Sequence, residues 1–442
     1  MSKVFVLDQD RRPLDPVHPG YARWLLSQQK AAVWRRFPFT IILKAQQPEV
    51  PVQSLRLKID PGSKTTGLAL LADATGEVVW AAELTHRGGQ VRQRLAKRRS
   101  VRRSRRQRKT RYRRPRFANR RRTAGWMAPS LASRVTNVLT WVARLARLCP
   151  VGALSLELVK FDTQALQHPE ISGVEYQQGT LAGYELREYL LEKWERRCAY
   201  CQADKVPLQI EHLTPRARGG SNRASNLTLA CEPCNIKKGT QTAAEFGFPD
   251  LQAQAKLPLK DAAAVNATRW ALYERLKATG LPVEAGTGGR TKWNRVQRDL
   301  PKTHWLDAAC VGASTPAVVH VQQVRFLSIT ATGWQRRQMC LMDKPGFPRT
   351  CAKGPSRVRG FQTGDLVRAV VRTGTKKGTY VGRVAVRATG SFNVTTRAGT
   401  IQGIPARSCQ AIHRQDGYTY TKGEATSSRS PAGDGSPSPV SL

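Results

Sequence analysis

Four of the nine cysteines fall into two C-x-x-C pairs that stand about thirty residues apart. The pairs are Cys198 with Cys201 and Cys231 with Cys234. Two such pairs can close a tetrahedral four-thiolate zinc site, which has no open position and is therefore structural. Buried free thiols would rarely fall into matched pairs, and a redox dithiol would need only one pair. A segment this short buries little core, so a metal that holds it together explains the spacing.

Polar side chains stand between and directly after these cysteine pairs. Glu211 and His212 are adjacent, and the stretch RGGSNRASN ends at Asn226. Asn235 directly follows the last cysteine of the set. An imidazole, with an ordinary pKa of about 6.5, can deprotonate water, and carboxylate and amide oxygens suit Mg²⁺. A lone histidine is usually structural, but this setting favours metal-assisted phosphodiester hydrolysis.

Three further carboxylates and one histidine occupy positions where strands end or a helix begins. Asp60 ends the predicted strand LRLKID, and Glu157 lies inside the apolar run ALSLELV. His304 and Asp307 share one face of the predicted helix THWLDAACVGAS. An aspartate after a strand is often only a turn residue, but a charge inside an apolar strand needs a partner or a metal. Three converging carboxylates would bind two Mg²⁺ about 3.5–4 Å apart, with His304 as a proton-transfer group.

The charge balance points to a polyanionic partner. The chain has 73 Lys and Arg against 31 Asp and Glu, a net charge of +42. Each neutralised phosphate releases condensed counterions, so this excess favours nucleic acid and argues against ordinary metabolite enzymes. No acidic residue lies between Leu84 and Leu156, and nineteen basic residues lie between Arg87 and Arg122. We expect a helix here that firms up against phosphates; a solvated tail or a nuclear-localisation patch is the alternative.

The elements around these residues follow from hydrophobic periodicity. The first fifty residues predict two strands, VFVL and FTIILK, with a helix over Tyr21–Ala32 between them. LRLKID, LALLAD and EVVWAAEL predict a β-meander. Three longer helices are predicted, over LASRVTNVLTWVARLARL, GYELREYLLEKWERR and AAAVNATRWALYERLKATG. Beyond about Gly333 a basic linker precedes short strands typical of a small barrel, and a Ser-, Gly- and Pro-rich tail ends the chain.

The composition also bounds the setting in which the protein works. Apolar residues make up 40% of the chain, which is enough to bury real cores. No stretch approaches the roughly 18 consecutive apolar residues of a membrane span. The start, MSKVFVLDQDRRP, does not have the pattern of a signal peptide. We therefore expect a soluble, intracellular protein with no membrane partner and with its thiols reduced.

The segment CAYC…EHLTPRARGGSNRASNLTLACEPCNIKKG resembles the HNH (ββα-metal) endonucleases. The resemblance implies that His212 is the general base and that Glu211 and Asn235 are ligands of one Mg²⁺. It also implies that Asn226 orients His212. Many members of that family carry Asp where Glu211 stands.

IDPGSKTTGLALL, LSLELV and HWLDAA are similar to the three split motifs of a RuvC-type nuclease on an RNase H-like fold. This resemblance implies that Asp60, Glu157 and Asp307 hold two Mg²⁺ and that His304 is catalytic. All four residues are present.

The order of the motifs resembles IscB, a family of compact transposon-encoded RNA-guided nucleases regarded as ancestral to CRISPR effector nucleases. The HNH-like unit lies between the second and third RuvC-like motifs, and the Arg-rich run follows the first. The family's N-terminal proline-leucine motif appears as Pro13-Leu14-Asp15-Pro16, with Asp15 where Met is usual. The implied fold class is a multidomain α/β chain: an RNase H-like (RuvC) core, an inserted ββα-metal domain, a bridge helix and a C-terminal small β-barrel.

The resemblance divides the chain into an N-terminal domain at 1–54, RuvC parts at 55–86, 126–183 and 247–332, a bridge helix at 87–125, an HNH domain with zinc knuckles at 184–246, a C-terminal domain with an SH3-like barrel at 333–422 and a disordered tail at 423–442.

The family implies a mechanism as well. A non-coding guide RNA (omega RNA) would bind the bridge helix, the N-terminal domain and the C-terminal domain, and would pair with one strand of a double-stranded DNA target. The HNH domain would cut the paired strand and RuvC the displaced strand, next to a short flanking motif recognised by the C-terminal barrel. The protein would be a monomer in a ribonucleoprotein of the prokaryotic cytoplasm, on the nucleoid when bound to DNA. The residues expected to contact the nucleic-acid backbone are Arg98, Arg99, Arg102, Arg103, Arg105 and Arg106.

Two other classes of protein fit parts of the pattern. A protein-addressed homing or restriction endonuclease with an HNH cutter would need no RNA, and purified protein would cut a specific duplex unaided. An RNA-binding transposon regulator descended from a nuclease would tolerate loss of His212 and Asp60.

Overall fold

The structure is a computed structural model that describes most of the chain. It describes residues 2–46, 51–107, 126–158, 184–204, 206–257, 262–322, 324–334, 340–344, 347–351 and 356–425. The second half of the Arg-rich run, with Pro115, and the end of the chain from 426 onwards lie outside the described residues.

Within these residues the chain alternates strands and helices. The strands are β1 (Val4–Leu7), β2 (Pro13–Val17), β3 (Ala31–Arg35), β4 (Thr40–Leu43), β5 (Leu55–Pro61), β6 (Thr65–Ala72), β7 (Glu77–Thr85), β8 (Val151–Glu157), β9 (Leu208–His212), β10 (Leu227–Cys231), β11 (Val283–Gly286), β12 (Arg325–Ala331), β13 (Arg357–Val358), β14 (Phe361–Gln362), β15 (Leu366–Val371), β16 (Gly378–Ala385), β17 (Ser391–Thr395), β18 (Thr400–Pro405), β19 (Cys409–His413) and β20 (Tyr418–Ala425). The helices are α1 (Pro19–Ser27), α2 (Gly88–Gln107), α3 (Pro129–Ala146), α4 (Tyr184–Lys193), α5 (Glu232–Lys238), α6 (Asp250–Lys256), α7 (Ala262–Lys277), α8 (Gly288–Val296) and α9 (His304–Ala309).

The N-terminal part is a four-stranded sheet in the order β2-β1-β4-β3, with α1 beside β3. The strands predicted at VFVL and FTIILK are confirmed as β1 and β4. The helix predicted over Tyr21–Ala32 is too long, because α1 ends at Ser27. Gln29 has a positive φ of 55°, which reverses the chain, and Ala31 then begins strand β3. The prolines of the Pro13–Pro16 motif lie on β2.

A seven-stranded sheet in the order β11-β8-β5-β6-β7-β12-β20 forms the centre of the fold. The meander is confirmed, because β5, β6 and β7 pair antiparallel in sequence order. Strand β8 runs parallel to β5, β11 runs parallel to β8, and β12 runs parallel to β7. Each parallel neighbour needs a crossover, and the crossover from β8 to β11 contains the cysteine region.

The two faces of the central sheet are covered by different helices. Helices α3 and α7 contact each other, and α3 buries Trp141 against the face that carries Leu57 and Leu70. Helix α9 packs on the opposite face, where its Trp305 meets Ala69. Burial on both faces is why these strands are nearly continuous apolar runs.

The chain end returns to this central sheet. Strand β20 pairs antiparallel with β12, although its residues were expected to belong to the C-terminal domain and the tail. The boundary of the predicted tail at residue 423 is wrong, because β20 continues to Ala425. Tyr418 and Tyr420 on this strand contact the ring of Trp141, which gives the strand a place in the core.

Two smaller units complete the described structure. Strands β9 and β10 form an antiparallel pair that leads directly into α5. Short strands are confirmed near the C-terminus, in an antiparallel five-stranded sheet of order β18-β17-β16-β15-β19 around buried Val367 and Phe392. Among the described helices, none has the length and apolar character needed to cross a membrane.

Candidate functional site

The four predicted cysteines come together in the structure. The sulfur atoms of Cys198, Cys201, Cys231 and Cys234 all lie within 4.8 Å of one another, and the Cys201 and Cys231 sulfurs are 3.6 Å apart. Tetrahedral zinc with bonds of about 2.3 Å would separate its sulfur ligands by about 3.8 Å. The donor set therefore fits a structural zinc ion. It is the one group of three or more potential metal ligands this close together in the described part of the chain.

The thiols are also electrostatically arranged for a cation. Burial raises the pKa of Cys198, but hydrogen bonds from the backbone N–H groups of Cys201, Cys231 and Tyr200 outweigh burial and bring that pKa to about 7. Burial and the neighbouring sulfurs raise the pKa of Cys234 to about 12. Four thiolates this close repel one another strongly, so a divalent ion is needed before all four can be deprotonated.

Strands β9 and β10 and helix α5 hold the remaining residues of this region. Glu211 and His212 end β9, and Asn235 lies on α5 one residue after the last cysteine. His212 pairs in register with Leu227, the residue after Asn226. The cysteine cluster thus joins the start of α5 to the loop before β9, and the ββα arrangement brings the predicted residues to one small unit.

Glu211 is buried and has a partner at each carboxylate oxygen. The ammonium group of Lys238 lies 2.6 Å from Glu211 Oε1, and the Tyr200 hydroxyl donates to Oε2 at 2.6 Å. Lys238 is itself fully buried and also donates to the His212 carbonyl at 2.9 Å. Burial and the hydrogen bond to Glu211 raise the pKa of Tyr200, so its hydroxyl stays protonated. A metal that binds Glu211 must share these oxygens with the two donors, and its ligand role stays a prediction.

Replacing Lys238 by methionine removes the only cation named at the buried Glu211 carboxylate among the described contacts. We expect the free energy of unfolding of the ββα unit to fall by about 3–5 kcal/mol, because an uncompensated charge stays buried. The measurement is hydrogen exchange of the β9 and β10 amides in the full chain. Lys237→Met, at the exposed neighbour on the same helix, is the control and should change stability by less than about 0.5 kcal/mol. Equal exchange in both variants would contradict a structural role for the ion pair.

Asn235 and Asn226 differ in what they contact. The Asn235 side chain is half-buried, and its amide N–H donates to Gln209 Oε1 at 2.6 Å. The amide oxygen of Asn235 therefore points away from Gln209. Asn226 does not reach the His212 ring. Its amide accepts from Thr214 N and donates to the Thr214 and Ser221 carbonyls, at 2.9–3.0 Å. Asn226 therefore shapes the loop that follows His212.

The residue that contacts the His212 ring is Asn222, which the sequence analysis missed. Asn222 Oδ1 lies 3.0 Å from His212 Nε2 and also accepts two hydrogen bonds from Arg216. Lys238 and Tyr200 were missed as well. Asn222 is one of two asparagines in the SNRASN stretch, and no spacing rule distinguishes which of them faces the histidine.

The central sheet brings Asp60, Glu157 and the helix of Asp307 to one face. Asp60 pairs with Gly67 on β6, and the register Ile59 with Leu156 makes Glu157 the next neighbour of Asp60. Residues opposite each other in neighbouring strands project from the same face. A Cβ atom on Gly67 would lie 1.8 Å from the His304 carbonyl oxygen, so this is the face on which α9 packs.

Gly67 is therefore expected to be essential for the position of α9. Gly67→Ala would place a methyl group against backbone atoms of His304, and we expect the loss of at least about 1–3 kcal/mol of stability. Faster hydrogen exchange of the α9 amides would report the displacement. Gly89→Ala in α2, where a Cβ meets nothing within 4 Å, is the control. Unchanged α9 exchange in Gly67→Ala would contradict the close approach.

Two arginines lie against the carboxylates of this face. Arg269 Nη2 on α7 lies 3.2 Å from Glu157 Oε1, and Arg295 Nε on α8 lies 2.8 Å from Asp307 Oδ1. Burial raises the pKa of Asp307, and Arg295 acts in the opposite direction. The carboxylates of Asp60, Glu157 and Asp307 are not among the described groups with ligand atoms within 4.8 Å of one another. Cationic side chains thus already occupy the Glu157 and Asp307 carboxylates.

A row of polar residues lies directly behind these carboxylates on the same face. Lys58, Ser155 and Glu284 are neighbours in register on β5, β8 and β11. The buried Lys58 donates to the Val311 carbonyl at 2.8 Å, and Ser314 N donates to Glu284 at 3.0 Å. Burial lowers the pKa of Lys58 to about 8. The row anchors the segment after α9 and was not predicted, because its partners are distant in sequence.

His304 is exposed at the first turn of α9, and its backbone N–H donates to Glu83 Oε1 at 3.1 Å.

Helix α2 contains the first half of the Arg-rich run and contacts α3. Its half-buried residues include Val91 and Leu95, one turn apart. The side chains of Arg98, Arg99, Arg102, Arg103 and Arg106 are exposed; that of Arg105 lies outside the described residues.

Two family models match regions within the first 251 residues of the chain. Residues 4–179 match the model of the family described as RRXRR protein, and residues 198–251 match the model of an HNH endonuclease. No curated protein matches the chain. The HNH match covers the cysteine cluster, β9, β10 and α5.

Solved structures of Cas9 are also similar to parts of the chain. Streptococcus thermophilus Cas9 in complex with the GGAA PAM is 11% identical with a TM-score of 0.22, over 58% of this chain and 32% of that chain. The Type II-C Cas9 enzyme from Actinomyces naeslundii is 18% identical with a TM-score of 0.15, over 43% of this chain and 29% of that chain. The chain thus spans about a third of the length of these Cas9 chains.

The family match and the ββα geometry agree on the region that carries His212. Residues 198–251, which contain the cysteine cluster and the ββα arrangement, match the HNH endonuclease family.

Proposed function

We propose that this protein is an RNA-guided DNA endonuclease of the IscB type with two cutting sites. The observation that carries the proposal is the order β7-β6-β5-β8-β11, with Asp60 and Glu157 adjacent and α9 on their face. Three antiparallel strands followed by two parallel ones is the strand order of an RNase H-like fold. The HNH domain lies in the β8–β11 crossover, which is where an insertion between the second and third RuvC motifs would lie. The segment boundaries predicted from the sequence, apart from that of the tail but with the small C-terminal barrel included, belong to this proposal.

In the HNH domain, His212 would accept the proton of the attacking water. Asn235, with Glu211 beside it, would hold one Mg²⁺, which would stabilise the charge that develops on the scissile phosphate. Asn226 keeps the loop after His212 in shape, and Lys238 fixes both the Glu211 carboxylate and the His212 backbone. The four cysteines would hold zinc with no open position, so the zinc would stabilise the fold and take no part in hydrolysis.

At the central sheet, Asp60, Glu157 and Asp307 would hold two Mg²⁺, which would supply charge stabilisation to an in-line displacement. A metal bound by Glu157 or Asp307 would have to displace or share the contacts that Arg269 and Arg295 make with these carboxylates. His304, exposed one turn before Asp307, would move a proton at the nucleophile. Each site would cut one strand: HNH the guide-paired strand and the central-sheet site the displaced strand.

The guide RNA is the partner that the charge distribution supports. Four exposed arginines of α2 form two adjacent pairs, Arg98 with Arg99 and Arg102 with Arg103. Adjacent residues of a helix point about 100° apart, so each pair can contact two strands at once. On α1 the exposed rings of Tyr21 and Trp24 stack with centroids 5.5 Å apart, and Lys30 lies over Trp24. Exposed aromatic and cationic side chains together are typical of single-stranded nucleic-acid binding. Base pairing would then supply sequence specificity, next to a short flanking motif in the DNA.

The experiment that tests the proposal is co-expression with the flanking genomic DNA, followed by sequencing of the RNA that co-purifies. The purified complex is then incubated with Mg²⁺ and plasmids that carry or lack the complement of that RNA. A defined RNA and cleavage of the matching plasmid alone are expected. Random RNA, with cutting unaffected by its removal, would overturn the guided function and leave a protein-addressed HNH endonuclease. A defined RNA with no cutting would leave an RNA-binding regulator.

The α2 arginines give a quantitative prediction. Each lost phosphate contact should reduce the slope of log K against log salt by roughly 0.9 for duplex contacts. Replacing Arg98, Arg102 and Arg106 by glutamine should therefore lower the slope for RNA binding by about 2–3, measured by filter binding from 50 to 300 mM salt. Arg325→Gln, at an exposed position on β12, is the control. An unchanged slope in the triple variant would show that these α2 arginines do not contact the phosphates of the RNA.

A further inference from the structure

We infer that Asn222 is a positioning residue for His212, which it holds in the tautomer that carries its hydrogen on Nε2 and its lone pair on Nδ1. The inference rests on the proposed function of the HNH domain as the cutter of one DNA strand. It adds a residue that neither the HNH resemblance nor the family match assigns.

The identities of the contacting atoms fix the direction of the hydrogen bond. Arg216 donates to Asn222 Oδ1 through Nε at 3.0 Å and through Nη2 at 2.7 Å. A guanidinium group has no acceptor, so the atom it contacts must be the amide oxygen. The same oxygen lies 3.0 Å from His212 Nε2. An amide oxygen cannot donate, so Nε2 carries the hydrogen of the neutral ring and Nδ1 is its acceptor.

The loop around Asn222 is built to keep that oxygen in place. A Cβ on Gly220 would lie 1.7 Å from the Thr214 carbonyl oxygen, and Gly219 has a φ of 77°. Glycine at both positions allows the chain to turn back onto the residues that follow His212. The Asn226 side chain then donates to the Ser221 carbonyl at 2.9 Å and bonds Thr214 on both sides. The backbone is thereby fixed next to Asn222 and two residues after His212.

The tautomer matters because only one ring nitrogen can accept a proton from water. A general base contributes typically 10²–10⁴-fold to the rate, provided that its lone pair faces the water. Without Asn222 the ring can rotate and can exchange hydrogen between its nitrogens, so only part of the population presents the lone pair correctly. Arg216 acts one step further away, since its two hydrogen bonds hold the Asn222 oxygen.

The test uses the full chain with ¹⁵N-labelled histidine, and NMR reports which ring nitrogen of His212 is protonated. His212→Gln identifies the signal among the seven histidines. Wild type is expected to show protonated Nε2, and Asn222→Ala is expected to show a mixture of tautomers.

In the RNA-loaded protein, Asn222→Ala should slow single-turnover cleavage of the guide-paired strand about 10- to 100-fold. Cleavage of the other strand and DNA affinity should stay unchanged.

Three comparisons keep the result decisive. Asn222→Asp retains an acceptor oxygen and is expected to restore the Nε2-protonated tautomer and most of the rate. Ser221→Ala, whose contribution to the loop is its carbonyl, is the matched control and should behave as wild type. Asn222→Ala must also retain its zinc and its melting temperature, which separates positioning from folding.

The inference is overturned if Asn222→Ala keeps both the tautomer and the rate of wild type. It is also overturned if Asn222→Asp is as slow as Asn222→Ala while both retain zinc. The NMR measurement does not depend on DNA cleavage. If wild type shows only the Nε2-protonated tautomer of His212 but the chain cuts no DNA, the proposed function is refuted and the positioning role of Asn222 remains.

Discussion

His212→Ala and Asp60→Ala are expected to give two proteins that nick opposite strands of the same target. Each substitution disables one centre, and the two centres lie on separate structural units, the ββα unit and the central sheet. Loss of the general base should slow cutting of the guide-paired strand by about 10²–10⁴-fold. Loss of the Asp60 carboxylate removes a proposed metal ligand and should abolish cutting of the displaced strand. End-labelled duplexes, with each strand labelled in turn, measure the two rates separately.

The matched controls for these two variants change the same residue types elsewhere. His320→Ala and Asp10→Ala alter exposed side chains and should cut both strands at the wild-type rate; His320 contacts β7 through its backbone, which the substitution keeps. A His212→Ala protein that still cuts both strands would refute the catalytic role of the HNH domain. Simultaneous loss of both activities in either single variant would instead indicate one shared centre.

Removal of zinc is expected to unfold the HNH domain while the central sheet stays folded. Structural zinc contributes about 10–16 kcal/mol in small zinc-held units, more than most domains have as their entire stability. Cys198→Ser or strong chelators should therefore abolish the protection of β9 and β10 amides against hydrogen exchange. Protection in β5 and β6 should remain, because the core of the central sheet contains none of the four cysteines. The guide-paired strand should then stay intact while the displaced strand is still cut.

The control for this experiment is Cys351→Ser, at an exposed thiol outside the cluster, which should retain zinc and protection. Mass spectrometry under native conditions gives the zinc content of each variant. A Cys198→Ser chain that keeps the β9 and β10 protection of wild type would contradict a structural zinc site.

Local patterns were sufficient to predict the elements with strong periodicity or spacing. The meander of β5 to β7 follows from short apolar runs joined by turns, and the cysteine cluster follows from paired spacing. These features depend on neighbours in sequence. The end of α1 was misplaced because Gln29 adopts a left-handed backbone, which its residue type does not signal.

Contacts between distant residues could not be predicted in the same way. The partners of the buried carboxylates, Lys238 at Glu211 and Arg269 at Glu157, are 27 and 112 residues away from them. The chain holds 73 lysines and arginines, so composition cannot indicate which of them are buried beside an acid. Asn222 was missed for the same reason, because only the folded loop distinguishes it from Asn226.

The anchoring of the segment after α9 also determines the order in which the molecule can be assembled. Lys58 and the Val311 carbonyl are 253 residues apart, so the ribosome must synthesise the whole HNH domain before this contact can form. By contrast, the strands, helix and cysteines of the HNH domain are contiguous in the sequence. This domain can therefore fold during translation. The last strand of the central sheet, β20, emerges later still. We therefore expect the HNH domain to fold first on the nascent chain, and the carboxylate centre to form only near the end of synthesis.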